Sequence, residues 1–182
     1  MLINSSKIIL DLCGGTGAWS KPYLDAGYDV RVITLPEDVR IYRPPKEVHG
    51  ILAAPPCTEF AGSGARWWKD KDVSLLYDAL SIVDACLIII LVCNPAWWAL
   101  ENPVGRLKDW IGEPEMYFQP CWYGDPYTKK TGLWGKFNKP ERNYVEPVEG
   151  SKMHLLPPSE DRTALRSITP PGFAKAFFEA NS

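Results

Sequence analysis

The sequence lacks the cysteine and histidine spacing of a zinc site. It contains two histidines and five cysteines, and no two of the cysteines form a Cys-x-x-Cys pair. A zinc ion is therefore not expected. The odd number of cysteines and the lack of a signal-peptide pattern favour a reducing cytoplasm as the location.

A large excess of charge and a long apolar run are also missing. The 182 residues have a formal net charge of −2, which does not indicate a large basic surface for nucleic-acid binding, although a local basic patch is compatible with that total. The most apolar run, residues 85–92, is shorter than the ~20 residues of a membrane-spanning helix, so it predicts a buried helix and no membrane partner. A content of 46% hydrophobic and 23% charged residues is typical of one globular domain.

Short apolar or β-branched runs alternate with helical patterns along the chain. Strands are predicted at residues 7–12, 29–33, 48–53, 97–100, 117–122 and 132–134, and helices at 19–26, 73–93 and 170–180. This alternation predicts an α/β fold with a mostly parallel twisted sheet flanked by helices, in which ligands gather at the carboxyl ends of the strands. Within a single domain spanning residues 1–182, the stretch 136–166 is rich in Pro, Glu and Lys and predicts an irregular insert.

Three polar or glycine-rich motifs follow predicted strands. Residues 11–17 (DLCGGTG) contain glycines that let the backbone turn sharply beside a ligand, and no Lys-Ser/Thr follows, which excludes a P-loop. In residues 55–60 (PPCTEF), two prolines stiffen the chain before Cys57. In residues 101–103 (ENP), Glu101 ends an apolar strand, so its pKa should be raised.

Each motif alone also has a plain structural interpretation: a turn without a ligand, a buried cysteine, or a surface acid. All three occur at the ends of successive strands, in chain order. Together they therefore predict one cleft.

The series DLCGGTGAW, PPCTEF and ENP resembles the motif series of the C5-cytosine DNA methyltransferase family, whose patterns are a D-L-F-x-G-x-G-G type loop, P-C-Q and E-N-V. Residues 167–176 (SITPPGFAKA) resemble that family's closing motif, and residues 123–134 look like the corresponding stretch of small phage-type members. The resemblance covers residues 7–180. It implies a Rossmann-like class I methyltransferase fold that uses S-adenosylmethionine, and a phage origin would place the protein in a bacterial host's cytoplasm.

The chain departs from this family pattern at several positions. Thr58 replaces the usual Gln, Pro103 the usual Val, and Ser167 stands where an Asn is expected. No acid ends the second strand to bind the ribose hydroxyls, and the Q-x-R-x-R element is absent as such. Only residues 136–166 occupy the place of a target-recognition domain, so little sequence readout is expected.

The resemblance implies the roles of three catalytic residues. Cys57 is implied to add to C6 of cytosine, which makes C5 nucleophilic toward the methyl group. Glu101 is implied to protonate or hydrogen-bond N3, and Asn102 to position that loop. The thiolate of Cys57 is then expected to be favoured by a positive field that lowers its pKa below ~8.5.

The resemblance also implies the cofactor contacts. The loop at residues 11–17 is implied to wrap the methionine end of S-adenosylmethionine, and residues 38 and 39 the adenine. The residues implied to bind the cofactor are Asp11, Cys13, Gly14, Gly15, Thr16, Gly17, Trp19, Asp38, Val39, Pro56, Ser167 and Thr169.

DNA, single- or double-stranded, is the implied partner, and a second copy or an accessory protein could assist. The candidate substrate-binding residues are Thr58, Phe60, Arg66, Lys129 and Lys130. Trp67 and Trp68 add stacking surfaces beside Arg66, or else cover the core. Lys129 and Lys130 precede a strand and are candidates for phosphate contacts, or else are solvated.

Three other functions remain open at the level of the sequence. The same chemistry could act on RNA or on a free deoxycytidine nucleotide. The chain could be a non-catalytic methyltransferase remnant that binds cofactor or nucleic acid. A dinucleotide-dependent oxidoreductase is disfavoured by the glycine spacing.

Overall fold

A computed structural model of the protein describes residues 4–159 and 162–182. The strands are β1 Ile8–Leu12, β2 Asp29–Ile33, β3 Gly50–Ala53, β4 Trp97–Pro103, β5 Met116–Phe118 and β6 Thr131–Lys136. The helices are α1 Lys21–Asp25, α2 Val73–Cys93, α3 Lys108–Ile111, α4 Lys152–Leu155, α5 Arg162–Ser167 and α6 Pro171–Ala180. Two 3₁₀ segments cover Gly62–Asp70 and Pro120–Trp122.

The strands form one sheet in the order β2-β1-β3-β4-β6-β5. Strands β1 to β4 pair in parallel, whereas β6 is antiparallel to both of its neighbours, β4 and β5. The predicted α/β fold with a mostly parallel sheet is therefore confirmed. In the register of the ladder, Leu12 pairs with Ala53 and Ala53 with Leu100, so β1, β3 and β4 present their carboxyl ends at one edge.

Strand β2 has the predicted bounds, whereas the other five described strands differ in length from the sequence prediction. Strand β4 continues past Leu100 to Pro103 because β6 pairs with it, with Glu101 opposite Leu133. Glu101 therefore lies within a strand rather than after one. Strand β5 ends at Phe118, and a 3₁₀ segment follows from Pro120, whose missing N–H cannot extend a ladder.

The two faces of the sheet carry separate cores. Alternating residues of one strand point to opposite faces, so Leu10 and Leu12 of β1 contact the α2 side and Ile9 contacts the other side. The side without α2 is mainly aromatic and is covered by α1 and α6. Its buried rings are Trp19, Tyr23, Tyr28, Trp97, Phe118, Tyr123, Phe173 and Phe177.

Helix α2 is only partly the buried helix that its apolar sequence predicts. Val83 and Cys86 are fully buried, but Leu91 is 78% exposed and Ile88 and Val92 are exposed too. A helix turns its side chains through all directions and presents only one side to a sheet, so an all-round apolar helix leaves some of them in solvent. By length and hydropathy (21 residues, mean 2.4 over its most apolar window) α2 could cross a membrane, although core helices of soluble proteins meet the same criterion.

The aromatic core requires glycine at position 50. Gly50 lies opposite Trp97 in the β3–β4 ladder, and a Cβ atom there would overlap the indole. The indole is held from its other sides by Tyr23 and Phe177, at 5.3 and 5.6 Å between ring centroids. Trp97 therefore has little freedom to move away.

We expect Gly50→Ala to lower the free energy of unfolding by about 1–3 kcal/mol, the usual cost of overpacking a core. Urea unfolding followed by circular dichroism measures this change. Gly64→Ala is the matched control, because a Cβ at Gly64 meets only ordinary contacts, and its effect should stay within about 0.5 kcal/mol. Equal effects of the two substitutions would contradict the tight packing at Gly50.

Candidate active site

The carboxyl ends of β1, β3 and β4 border one cleft, with a volume of about 570 Å³ when the space open to solvent is included. Twelve of the residues predicted from sequence line it. These are Asp11, Cys13, Gly14, Gly15, Thr16, Trp19, Pro56, Cys57, Glu101, Lys129, Ser167 and Thr169. The remaining lining residues are Ala18, Ala54, Pro55, Pro103 and Arg166.

The glycine loop after β1 is folded around the side chain of Asp11. This carboxyl is fully buried; its Oδ2 accepts a 2.6 Å hydrogen bond from the Ser20 hydroxyl, while its Oδ1 has no hydrogen-bond partner among the described residues. A Cβ at Gly14 would overlap the carboxyl, so only glycine allows the loop to lie this close. Burial raises the pKa of Asp11 to about 6.

The same loop has three residues in the left-handed backbone region. Cys13, Gly15 and Gly17 have φ values of 57°, 55° and 70°. Glycine adopts this conformation without strain, but for Cys13 it is costly. Cys13 packs against the core on the α2 side, which includes the buried Cys86, and this packing holds the strained residue in place.

The loop that carries Cys57 is fastened to β4. The buried side chain of Asn102 donates a hydrogen bond from Nδ2 to the carbonyl oxygen of Pro55, at 3.0 Å. The Cys57 carbonyl oxygen accepts from the backbone N–H groups of Phe60 and Ala61, at 2.9 and 2.8 Å. Asn102 is therefore placed to position the loop rather than to line the cleft.

Burial dominates the electrostatics of the cleft. It raises the pKa of the Cys57 thiol, and the neighbouring Glu101 carboxyl raises it further, whereas Lys129 and Arg166 act in the opposite direction. The expectation that a positive field lowers this pKa is therefore wrong, because the two cations do not outweigh desolvation. Burial also raises the pKa of Glu101, as the sequence predicts, and Lys129 opposes that shift.

Three residues implied to bind the cofactor lie outside the cleft lining. The carboxylate of Asp38 is bound by the guanidinium of Arg40, with a closest N–O distance of 2.6 Å. Val39 is buried in the core on the α2 side. Gly17 forms the turn itself, since its N–H donates to the carbonyl oxygen of Gly14 at 2.9 Å.

Four candidate substrate-binding residues also lie outside this lining. Phe60 is fully buried and packs on Trp110, so its assignment to substrate contact is wrong: a wholly buried ring has no surface to offer. Thr58 is exposed. The guanidinium of Arg66 is stacked on the indole of Trp67, and the Nζ of Lys130 lies 4.7 Å from the ring centroid of Tyr117.

The phosphate contact expected for Lys129 stays a prediction, because an ammonium group that donates one hydrogen bond has further donors to offer. The Lys129 Nζ donates a 2.8 Å hydrogen bond to the carbonyl oxygen of Arg166, and both residues line the cleft. Sequence reasoning missed Arg166, because it lies in α5, within the stretch 136–166 that was predicted to be irregular. That prediction is wrong for α4 and α5, which are helical. Sequence reasoning also missed Ser20, which donates a hydrogen bond to Asp11. The only available signal was the spacing between these two residues in the sequence.

The buried Asp11 carboxyl makes folding pH-dependent. The folded protein holds its proton up to about pH 6, whereas the unfolded chain releases it near 3.8. Unfolding therefore becomes easier as pH rises through this window and changes no further above it. The free energy of unfolding is therefore about 3 kcal/mol lower at neutral pH than it would be with Asp11 protonated in both states.

We expect Asp11→Asn to remove this loss of stability, because the amide is neutral and can still accept from Ser20. The free energy of unfolding of the variant, relative to the unsubstituted protein, should rise by about 3 kcal/mol between pH 3 and pH 7. Urea titrations at a series of pH values measure it. Asp84→Asn, on the exposed side of α2, is the control for removing one charge. Parallel stability curves for Asp11→Asn and the unsubstituted protein would contradict the shift.

No known family model matches the chain, and no curated protein sequence matches it. Its structure is similar to that of a candidate DNA modification methyltransferase encoded within an E. coli prophage, with a TM-score of 0.51 and 16% sequence identity over 86% of this chain and 50% of that one. It is also similar to a mutant of Spodoptera frugiperda DNMT2, with a TM-score of 0.45 and 18% identity over 80% of this chain and 54% of that one. The chain thus spans about half the length of either protein. Its sheet and helices form a Rossmann-like methyltransferase fold.

Proposed function

We propose that the protein transfers a methyl group from S-adenosylmethionine to C5 of cytosine in DNA, through a covalent bond between the Cys57 Sγ and C6. One observation carries this proposal: the Cys57 thiol and the Glu101 carboxyl line one cleft together with the glycine loop, and the carboxyl raises the pKa of the thiol. These groups are far apart in the sequence and meet only through the sheet. The fold, which the protein shares with a candidate DNA modification methyltransferase, supports methyl transfer.

The cleft has a suitable place for the methionine end of the cofactor. Asp11 Oδ1 is a buried acceptor without a partner among the described residues, and the loop beside it has no room for a Cβ at Gly14. A carboxyl oxygen of this kind fits the positively charged ammonium of S-adenosylmethionine. Trp19, Ser167 and Thr169 line the same cleft and would enclose the ligand. When bound, the sulfonium supplies an electrophilic methyl group.

The adenine end fits less directly. The predicted acceptor, Asp38, already binds Arg40, which also pairs with Asp78 of α2 at 2.6 Å. Both ion pairs are substantially exposed, and exposed ion pairs contribute little to stability. The Asp38 carboxylate can therefore exchange a guanidinium for an amino group at small cost.

Cys57 and Glu101 divide the chemistry on the base. The Cys57 thiol releases its proton to water and Sγ bonds to C6, which moves the π electrons of the C5–C6 bond toward C5 and N3. Glu101, whose protonated form is favoured by burial, donates its proton to N3 and removes the developing charge. Once C5 carries the methyl group, its proton leaves to water, the Sγ–C6 bond breaks, and N3 returns its proton to Glu101.

The covalent step can be trapped with 5-fluorodeoxycytidine, because fluorine at C5 cannot leave as a proton does. We expect the protein, given S-adenosylmethionine and oligonucleotides that contain this base, to gain the mass of the oligonucleotide plus the methyl group. Cys57→Ala should abolish the adduct, while Cys93→Ala, which removes a thiol of α2 outside the cleft, should leave it intact.

Other outcomes of the trapping experiment discriminate among the alternatives. Turnover of deoxycytidine nucleotides without an adduct on any oligonucleotide would move the substrate to the nucleotide level. An adduct on RNA alone would move it to RNA. Binding of the cofactor by calorimetry with neither adduct nor turnover would sink the enzymatic proposal and leave a non-catalytic remnant.

The position of Lys129 gives a second test of the mechanism. Lys129 lowers the pKa of both Cys57 and Glu101, so Lys129→Met should raise both. Because the reaction needs a Cys57 thiolate and a protonated Glu101, both limbs of the pH–rate profile of adduct formation should move to higher pH. Lys130→Met is the matched control, since Lys130 lies outside the cleft lining. A lower rate at every pH without a shift would mean that Lys129 acts only by holding Arg166.

A further inference from the structure

Indole and guanidinium groups contact one another at two places beside the cleft. The guanidinium of Arg66 lies 3.9 Å from the ring centroid of Trp67, and that of Arg106 lies 4.5 Å from Trp68 and 5.8 Å from Trp110. We call these five residues the tryptophan–arginine surface. Arg66, Trp67 and Trp68 belong to the 3₁₀ segment Gly62–Asp70. Trp110 belongs to α3, and Arg106 to the loop before α3.

Trp67 and Trp110 are held out in solvent. Their exposed fractions are 49% and 45%, and no residue of the 3₁₀ segment is buried. The alternative that Trp67 simply covers the core is therefore wrong. Exposing a large aromatic side chain such as Trp67 or Trp110 has a cost in hydration free energy, and exposed apolar patches usually mark an interaction site.

The backbone fixes this surface to the walls of the cleft. Gly62 donates its N–H to the carbonyl oxygen of Val104 at 2.8 Å, one residue after Pro103 of the cleft lining. Arg106 donates from its backbone N–H to Phe60 O and from Nε to Glu59 O, at 2.9 and 2.7 Å. The surface is thus fastened to the two segments that carry Cys57 and Glu101.

An ion pair closes the other end of the 3₁₀ segment. The Nζ of Lys71, directly after it, binds the buried carboxylate of Glu59 at 2.8 Å. Glu59 lies two residues after Cys57. The ion pair therefore connects the end of the 3₁₀ segment to the short loop that carries Cys57. This arrangement holds the exposed indoles at a fixed place relative to the thiol.

Three cations at this surface have no carboxylate partner among the described residues. Arg66, Lys69 and Arg106 form no ion pair within residues 4–159 and 162–182, whereas Lys71 and Lys108 nearby do. A guanidinium that stacks on one face of an indole and lacks a counter-ion can bind a phosphate with its remaining donors. Half-exposed indoles offer flat apolar faces to a base.

We infer that the tryptophan–arginine surface binds single-stranded nucleic acid, by stacking unpaired bases next to the target cytosine on Trp67 and Trp110 while Arg66 and Arg106 contact the backbone. This inference rests on the proposed function for the identity of the target base. Stacking requires a base face that is free, and in a duplex both faces are covered by neighbouring base pairs. Recognition of an intact duplex would instead use base edges in the grooves.

The test measures binding separately from chemistry. Fluorescein-labelled oligothymidine, oligouridine and a blunt duplex of equal length are titrated with the protein and followed by fluorescence anisotropy. Single strands should bind more tightly than the duplex, and the comparison of thymidine with uridine strands distinguishes DNA from RNA. Trp67→Ala and Trp110→Ala should each weaken single-strand binding about fivefold to a hundredfold. Trp67→Phe, which keeps a ring, should restore most of the lost affinity.

Two controls separate this surface from aromatic and cationic side chains elsewhere. Tyr144→Ala removes an exposed ring, and Arg142→Ala removes a guanidinium that lies 4.1 Å from the Trp122 ring. Both should bind oligothymidine like the unsubstituted protein. Arg66→Ala should reduce the slope of log affinity against log salt by about 0.7, the value for one phosphate contact on a single strand.

The outcomes for the surface and for the proposed function are distinguishable. Equal binding of duplex and single strand, or unchanged affinity in Trp67→Ala, Trp110→Ala and Arg66→Ala, would overturn the surface even if the Cys57 adduct forms. Binding of oligothymidine that depends on Trp67 supports the surface even if no adduct forms, because thymidine strands contain no target cytosine.

Discussion

The hydrogen bond from Asn102 to the carbonyl oxygen of Pro55 is the contact on which the geometry of the cleft depends. Pro55 precedes another proline, and the chain there has left the β3–β4 ladder, so its carbonyl needs a side-chain donor. Asn102 supplies one from a strand held on its other side by β6. The same bond joins the loop of Cys57 to the strand of Glu101. Loss of this hydrogen bond would leave the buried carbonyl oxygen of Pro55 unsatisfied, which usually costs about 1–3 kcal/mol. The position of the Cys57 thiol relative to the Glu101 carboxyl would then no longer be fixed.

Three ionisable groups in the cleft are shifted toward their neutral forms by the same cause. Asp11, Cys57 and Glu101 have raised pKa values, and burial is the largest contribution for each. The cleft therefore resembles an apolar medium more than water, so charges brought by ligands are felt strongly there. Binding of a cation next to Asp11 would favour its carboxylate. The protein loses stability at this site at neutral pH, because burial disfavours the ionised form of Asp11.

The sequence predicted those parts of the fold and the site that depend on local pattern. Strand alternation and the glycine loop are local, and the parallel sheet and the cleft at its edge follow from them. Contacts made by distant segments were not predictable. Pairing with β6 extends β4 so that it includes Glu101, and Arg166 of α5 lines the cleft. Phe60 was misassigned because closeness to Cys57 in sequence does not show which way a side chain turns. The direction of the Cys57 pKa shift depends on burial, which sequence shows only indirectly.

The net charge of the chain says little about where its charges act. Many of the cations outside the cleft are paired: Arg40 binds two aspartates, and Lys71 and Lys108 each bind a glutamate. Among the described residues, Arg66, Lys69 and Arg106 beside the cleft form no ion pair, although Asp70 and Asp109 lie close to them in the sequence. Three cations can contact few phosphates, and electrostatic attraction alone would give weak, salt-sensitive binding. Affinity at this surface must therefore come mainly from stacking on the two exposed indoles, which depends little on salt and requires bases that are already unpaired.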